Sequence, residues 1–298
     1  MKKFILIFLY LITTNIYAQW KPNDTVRAII PFSPGGGTDL AFKHFQKWAE
    51  DRNIKIFPVY KGGADGLIGM EEVAKSFNDG LTISFGTVGT AATHKNNFPN
   101  YSFNHISMIR GSVMTLVTHT KSEINNIEDL EKEIRDKETI KNFAHGAPTQ
   151  LLLLRQLFKH LNIKKEPTMV PYRGSGPLIQ DLIGAHVDVA ILPMSILKTH
   201  IESGKIRVLA ISVREPWQEL KMYVNLNNRY LNWKNFDGFL ISLPNGVKPE
   251  VLHFWEKFIK DYISDEKVLM DFRNDFSEAL IFGQKSAQEV IINIQKNK

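Results

Sequence analysis

Residues 27–45 read RAIIPFSPGGGTDLAFKHF, and this stretch constrains the fold more than any other. An apolar run meets three successive glycines and then a segment with helical spacing. If residues 26–31 form a strand and residues 38–51 a helix, the glycines lie where an open α/β sheet places its ligands. Glycine brings no side-chain chemistry. What such a loop offers is main-chain N–H groups, together with the free amides and aligned dipoles of the helix that follows. These favour a carboxylate or a phosphate, with Thr38 or Asp39 as the expected helix cap. Taken alone, the loop fits either an anion site or an ordinary capped turn. It is not a P-loop, because no Gly-Lys-Ser/Thr follows, and PGGGTDL does not match the dinucleotide fingerprint.

The same alternation runs along the chain. Further strand candidates are residues 54–59, 81–85, 107–118, 169–172, 187–192, 206–213 and 238–243. Between them apolar residues recur at helical spacing, as in Leu40, Ala41, His44, Phe45 and Trp48, or Leu151, Leu154, Leu157, Phe158 and Leu161. Helical patterns at 249–263, 265–276 and 286–295 close the chain. This is an α/β pattern. A chain of 298 residues that is 43% hydrophobic can bury one large core or two lobes. The candidates 107–118 and 206–213 bracket a self-contained block, so a chain that builds a second lobe and returns would leave the first discontinuous. Lobes joined by two crossings can hinge about a cleft that holds a ligand.

A second glycine-rich loop, VYKGGADGLIGMEEVAKSFNDGLTI from Val59, again joins a strand candidate to a helix candidate. Two backbone-donor loops side by side at one sheet edge could hold one carboxylate from both sides, directly or through water.

Composition narrows the setting. The first 18 residues, MKKFILIFLYLITTNIYA, have paired lysines, an apolar run too short to span a membrane and a terminal alanine, the layout of a secretory signal. With no cysteine, disulfides, thiolate nucleophiles and cysteine-ligated zinc are excluded. Export without disulfides suits a bacterial periplasm. The formal charge of +6 falls to +4 without Lys2 and Lys3. The lysines are dispersed among acids, as in EDLEKEIRDKETIK, which describes solvated helix faces rather than a nucleic-acid stripe.

Four stretches, in order, resemble a known family: the periplasmic solute receptors of tripartite tricarboxylate transport systems, also called the Bug family. PFSPGGGTDL resembles its first binding loop, and GADGLIGMEEVAKSFNDGLTI its second loop and helix. VPYRGSGPLIQDLIGAHVDVAI is similar to the signature of its second lobe, and GKIRVLAISVRE to the returning strand. The resemblance runs from about Val26 to Val213. It implies a two-lobed periplasmic-binding-protein fold, a type II-like Venus flytrap with a mainly parallel sheet in each lobe. Residues 1–18 would be the signal, 19–115 and 236–298 lobe one, and 116–235 lobe two. The expected activity is capture of a small di- or tricarboxylate, aromatic acid or amino acid by a monomeric receptor. Its partners would be membrane permease subunits or, alternatively, a sensor protein; no nucleic acid and no cofactor is expected.

Carried over residue by residue, the resemblance implies ligand contacts from Phe32, Ser33, Gly35, Gly36, Gly37 and Asp39 in the first loop. Gly63, Ala64, Asp65 and Gly66 come from the second, and Thr87 and Thr90 from FGTVGT. Lobe two would add Gly146, Thr149 and Gln150 in AHGAPTQLLL, with Pro193 and Ser195. Departures from the family pattern are Asp65 for a glycine, Leu152 for a histidine and Pro148 for a glycine, and the resemblance fades beyond Arg214. A carboxylate inside a carboxylate site repels a plain diacid unless a cation intervenes, so Asp65 could instead pair with a ligand ammonium; the alternative is that it faces solvent or caps the next helix. Tyr172 and Arg173 could face the cleft, and Arg173 fits the lobe surface as well.

Enzyme signals are weak. The nine histidines include no His-Glu-x-x-His pair. SILK, from Ser195, matches Ser-x-x-Lys without its companion motifs, so Ser195 reads as a helix cap, and YRGSGP lacks the first glycine of a nucleophile elbow. No catalytic or metal-binding residue is expected. An enzyme on the same scaffold remains the third reading, after uptake and signalling.

Overall fold

A computed structural model describes residues 20–94, 103–136, 141–163, 166–231, 233, 238–279 and 283–296. The expected signal segment, 1–18, lies outside the described residues. The chain folds into two α/β lobes, each around a five-stranded sheet.

The first sheet holds β1 (Val26–Ile30), β2 (Ile56–Tyr60), β3 (Thr82–Thr87), β4 (Phe103–Met108) and β11 (Phe239–Pro244), in the order β2-β1-β3-β11-β4. β1 is buried except at Arg27, and β3 is buried throughout, as expected of central strands covered on both faces. Helix α1 (Gly37–Glu50) packs Phe42, Phe45 and Trp48 on this sheet and meets α9 (Pro249–Ser264) in an aromatic cluster. Within it the Phe45 and Tyr262 rings lie 5.1 Å apart and those of Trp48 and Phe258 4.9 Å apart, edge to face. Helices α2 (Leu67–Ala74), α3 (Val88–His94), α10 (Glu266–Asn274) and α11 (Gln284–Lys296) complete the lobe, α11 lying on α3 and β4.

The second sheet holds β6 (Met114–His119), β7 (Asn142–His145), β8 (Thr168–Pro171), β9 (Val189–Pro193) and β10 (Ile206–Ser212), in the order β10-β6-β9-β7-β8. Helix α5 (Pro148–His160) presses Leu153, Leu154, Leu157 and Phe158 on one face, with α4 (Ile127–Asp136) alongside. Helix α6 (Ser175–Gly184) presses Leu178, Ile179 and Leu182 on the other. Short helices α7 (Lys198–Glu202) and α8 (Leu226–Arg229) flank β10.

Both sheets are mixed. The parallel arrangement expected from the sequence occupies β2-β1-β3 in one and β8-β7-β9 in the other. The remaining pairs, β3-β11, β11-β4, β9-β6 and β6-β10, are antiparallel, because the strands at each crossing run back against the βαβ core. The single strand expected over 107–118 is three: β4, then β5 (Arg110–Ser112), then β6. The chain changes sheets here, and β5 pairs with β12 (Ser277–Ala279), a strand unread in the sequence, to form a small ribbon at the crossing. Buried Arg110 on β5 reaches Asp275 at 3.4 Å and lies over the Phe272 ring at 5.1 Å.

Candidate functional site

The parallel strands of both sheets point their carboxyl ends at a common seam. β1, β2 and β3 lead into α1, α2 and α3, and β7 and β8 into α5 and α6. Five helix amino termini therefore gather where the lobes meet, and each brings unpaired N–H groups and the positive end of its dipole.

In the first loop, helix α1 starts after Gly36, which carries no side-chain cap; Thr38 and Asp39 lie inside the helix rather than capping it. Asp39 is 2% exposed, and its carboxylate accepts from the Gly35 amide at 2.8 Å, the Tyr60 hydroxyl at 2.7 Å and Lys43 Nζ at 3.0 Å. Burial pushes its pKa up, but these donors outweigh it and hold the group below its ordinary value. Burial and the same carboxylate push the Tyr60 hydroxyl up to about 12. Asp39 thus braces the loop from within. Ser33 donates its amide to the Arg173 carbonyl of lobe two at 3.0 Å. Two of the loop's amides are therefore used by the fold, whereas those of Gly36, Gly37 and Thr38 meet no acceptor among the described residues.

The second loop is a left-handed run: φ is +130° at Gly63, 47° at Ala64, 53° at Asp65 and 90° at Gly66. A side chain at Gly66 would also put its Cβ 2.7 Å from Thr90 Cγ2, so glycine is required there. Asp65 does not cap α2; Gly66 occupies that position, and Asp65 sits in a short 3-10 turn before it. Thr87 and Thr90 are buried and bond to each other at 3.0 Å, and Thr87 Oγ1 accepts the Thr90 amide at the start of α3. These two shape the wall from beneath.

From lobe two, Pro148 takes the first helical position of α5, which suits a residue without an N–H. Gln150 is turned inward: its Oε1 accepts the Gly146 amide at 2.6 Å and its Nε2 donates to Ser175 Oγ at 2.8 Å. Ser195 lies inside a 3-10 turn that starts after Pro193, so it does not serve as the expected cap. Arg173 is exposed, as the surface reading has it. Tyr172 donates to Asp181 at 2.6 Å.

The lobes touch. A Cβ on Gly37 would lie 3.1 Å from Pro193, one on Gly36 3.6 Å from the Ser175 amide, and one on Gly89 2.2 Å from Thr149 Oγ1. Leu152 of α5 packs into the apolar cluster of Val88, Ala91 and Met108 in lobe one. Along this seam the polar atoms Thr149 Oγ1, Ser195 Oγ and His145 Nδ1 are buried without a hydrogen-bond partner. His145 ends β7, is 4% exposed, and was not among the residues expected from the sequence. A histidine ending a strand just before a helix amino terminus is the signal that could have found it. Burial holds its pKa below the ordinary value, while the Asp65 carboxylate pulls it up and Arg155 pushes it down. Among the described residues no group of three or more acidic or histidine side chains could hold a metal.

Comparison with known proteins decides the family. The model of the tripartite tricarboxylate transporter family receptor matches residues 58–266. The chain belongs to that family. It is 26% identical over 271 residues to protein BugT of Bordetella pertussis, covering 88% of this chain and 83% of the relative. Among solved structures it is similar to an R. palustris protein with adipate, with a TM-score of 0.83 and 22% identity over 92% of this chain and 95% of that one. It is also similar to MatC from Rhodopseudomonas palustris with bound malate, with a TM-score of 0.82 and 18% identity over 93% of this chain and 99% of that one. Both family and fold are those of solute-binding receptors. No helix among the described residues is long and apolar enough to cross a membrane.

Proposed function

We propose that this receptor is exported to the periplasm and captures a small carboxylate between its lobes for the permease of a tripartite tricarboxylate transporter. In this reading lobe one comprises residues 19–115 and 236–298, and lobe two residues 116–235. The observation that carries it is the seam itself. On the lobe-one side the amides of Gly36, Gly37 and Thr38 meet no acceptor among the described residues, and on the lobe-two side Thr149 Oγ1 and Ser195 Oγ are buried without a partner. Each orphaned polar atom costs about 1–3 kcal/mol, a cost that a polar guest would relieve. The adipate and malate held by similar proteins support a carboxylate as that guest.

The first loop holds one ligand carboxylate through the first-turn amides of α1, with Asp39 as internal brace. Gly63, Ala64 and the turn at Asp65 approach from the second loop, while Thr149 and Ser195 complete the polar contacts from lobe two. Ligand binding draws the lobes together only to the extent that it favours the closed arrangement. A thermal-shift screen of dicarboxylates, tricarboxylates, aromatic acids and amino acids tests the reading. At a hundredfold excess over Kd the stabilisation is about 2.7 kcal/mol, a shift of roughly 5 °C or more. A panel in which no carboxylate shifts the transition would overturn it.

A further inference from the structure

Ser175 carries the one side chain in a strip of glycine where the lobes meet. It opens α6 between Gly174 and Gly176. The first loop of lobe one holds both neighbours to glycine: a Cβ on Gly174 would lie 3.0 Å from the Ser33 amide nitrogen, and one on Gly176 2.5 Å from the Pro34 carbonyl oxygen. From the other side, a Cβ on Gly36 would lie 3.6 Å from the Ser175 amide nitrogen and 3.7 Å from Ser175 Cβ. Ser175 is buried, and it stands against the start of α1, whose amides at Gly36, Gly37 and Thr38 meet no acceptor among the described residues.

The hydrogen bonds around Ser175 fix what it can give. A main-chain N–H only donates, so the Gln150 atom 2.6 Å from the Gly146 amide is its oxygen, and the one 2.8 Å from Ser175 Oγ is its nitrogen. Ser175 Oγ accepts from that nitrogen, which leaves the hydroxyl proton to be donated elsewhere. Neither that proton nor the Ser175 amide meets an acceptor among the described residues. Gly146 is built into the arrangement, since a Cβ there would lie 2.8 Å from the Ser175 amide nitrogen. A chain of fixed direction thus runs from Gly146 through Gln150 to Ser175 and ends in a donor beside the start of α1.

We propose that the Ser175 hydroxyl donates to the same ligand carboxylate that the first-turn amides of α1 hold, and that Gln150 is the positioning residue that sets the direction of this bond. The groups that meet there are donors, so the guest between them has to accept on every side. A carboxylate does so, whereas a carboxamide would bring N–H against N–H. One carboxylate then engages both lobes, and this end of the ligand, whatever the rest of it is, draws the cleft shut.

The proposal rests on the functional reading above, and titration calorimetry with malate, succinate, adipate, citrate, benzoate and glutamate separates the two. Ser175→Ala should weaken the tightest of these acids about tenfold or more, the scale of a hydrogen bond to a charged group. Gln150→Met should weaken it about threefold to tenfold, because the hydroxyl stays but is free to turn. The double variant should bind no more weakly than Ser175→Ala alone, since Gln150 acts through Ser175; a merely structural bond would lower the melting temperature and leave affinity unchanged. Gln150→Met decides the matter should Ser175→Ala fail to fold. Wild-type affinity in either folded variant, or losses that add in the double variant, overturns the assignment and leaves the carboxylate receptor standing. Binding of none of the acids by the wild-type chain overturns both.

Discussion

Gly89 offers a test of closure that leaves each lobe intact. It stands in the first turn of α3, and a Cβ there would lie 2.2 Å from Thr149 Oγ1, 2.9 Å from the Thr149 amide nitrogen and 3.2 Å from Thr149 Cβ. Thr149 opens α5 in the other lobe, so the whole clash falls across the seam. Relief to ordinary van der Waals contact requires the two helix ends to part by about 1 Å. Overpacking of this kind costs about 1–3 kcal/mol. The three atoms nearest that Cβ all belong to Thr149 of lobe two, and alanine suits a helical backbone better than glycine by up to roughly 1 kcal/mol. Gly89→Ala should therefore hold or raise the melting temperature of the free protein while weakening its best carboxylate ligand about 5-fold to 150-fold. Titration calorimetry measures the affinity, and small-angle scattering should show a larger radius of gyration. Wild-type affinity together with a wild-type scattering profile would refute the argument that closure brings α3 and α5 into contact.

Three further predictions concern the loops. Gly36 has φ −92° and ψ 176°, open to any residue, and a Cβ there meets only ordinary contacts of 3.6–3.8 Å; Gly36→Val should fold normally yet abolish binding by screening the α1 amides, and unchanged affinity would remove this loop from the site. Asp65→Gly relieves the left-handed strain, so stability should hold or rise by about 1 kcal/mol, while amino-acid ligands weaken and simple dicarboxylates improve; no change for either class in calorimetry contradicts the selectivity argument. Asp39 has a pKa below its ordinary 3.8 in the folded chain, so its ionised form contributes stability above that value, and the contribution disappears as pH falls through the folded pKa. The loss of melting temperature in Asp39→Asn should be full at neutral pH and shrink below pH 3.8; a pH-independent difference from pH 7 to 2 would show that the brace is not electrostatic.

Much of the frame was legible in the sequence because its signals are local. RAIIPFSPGGGTDLAFKHF announces a strand, a glycine loop and a helix with its own residues, and β1 and α1 follow that order. The three closing helices were readable for the same reason, from spacing alone. What stayed hidden depends on the chain turning between sheets. Residues 107–118 carry strand composition throughout, and only the change of sheet breaks them at Ile109 and Val113, whose amides go to Phe239 and Phe276 far along the chain. β7 was missed because NFAH is four residues long and runs directly into a turn; β12 was missed because it abuts α10. Candidate caps went wrong where a side chain found a more distant partner: Asp39 reaches Gly35 and Tyr60 instead of serving as the helix cap.

The same distinction bears on where specificity resides. Main-chain amides recognise a carboxylate whatever the rest of the ligand is, so a glycine loop can be shared by receptors of different solutes and still be read from sequence. Discrimination requires side chains whose polar atoms are left unpaired by the fold, since the wrong ligand then leaves them buried and unsatisfied. Along the seam such atoms, His145 Nδ1, Thr149 Oγ1 and Ser195 Oγ, belong to lobe two, whereas the α1 amides that meet no acceptor among the described residues belong to lobe one. Under the proposed function, lobe one would admit carboxylates as a class, and lobe two would select among them at closure. Exchanging those three side chains should change which acid binds, and removing the α1 amides should abolish binding of them all.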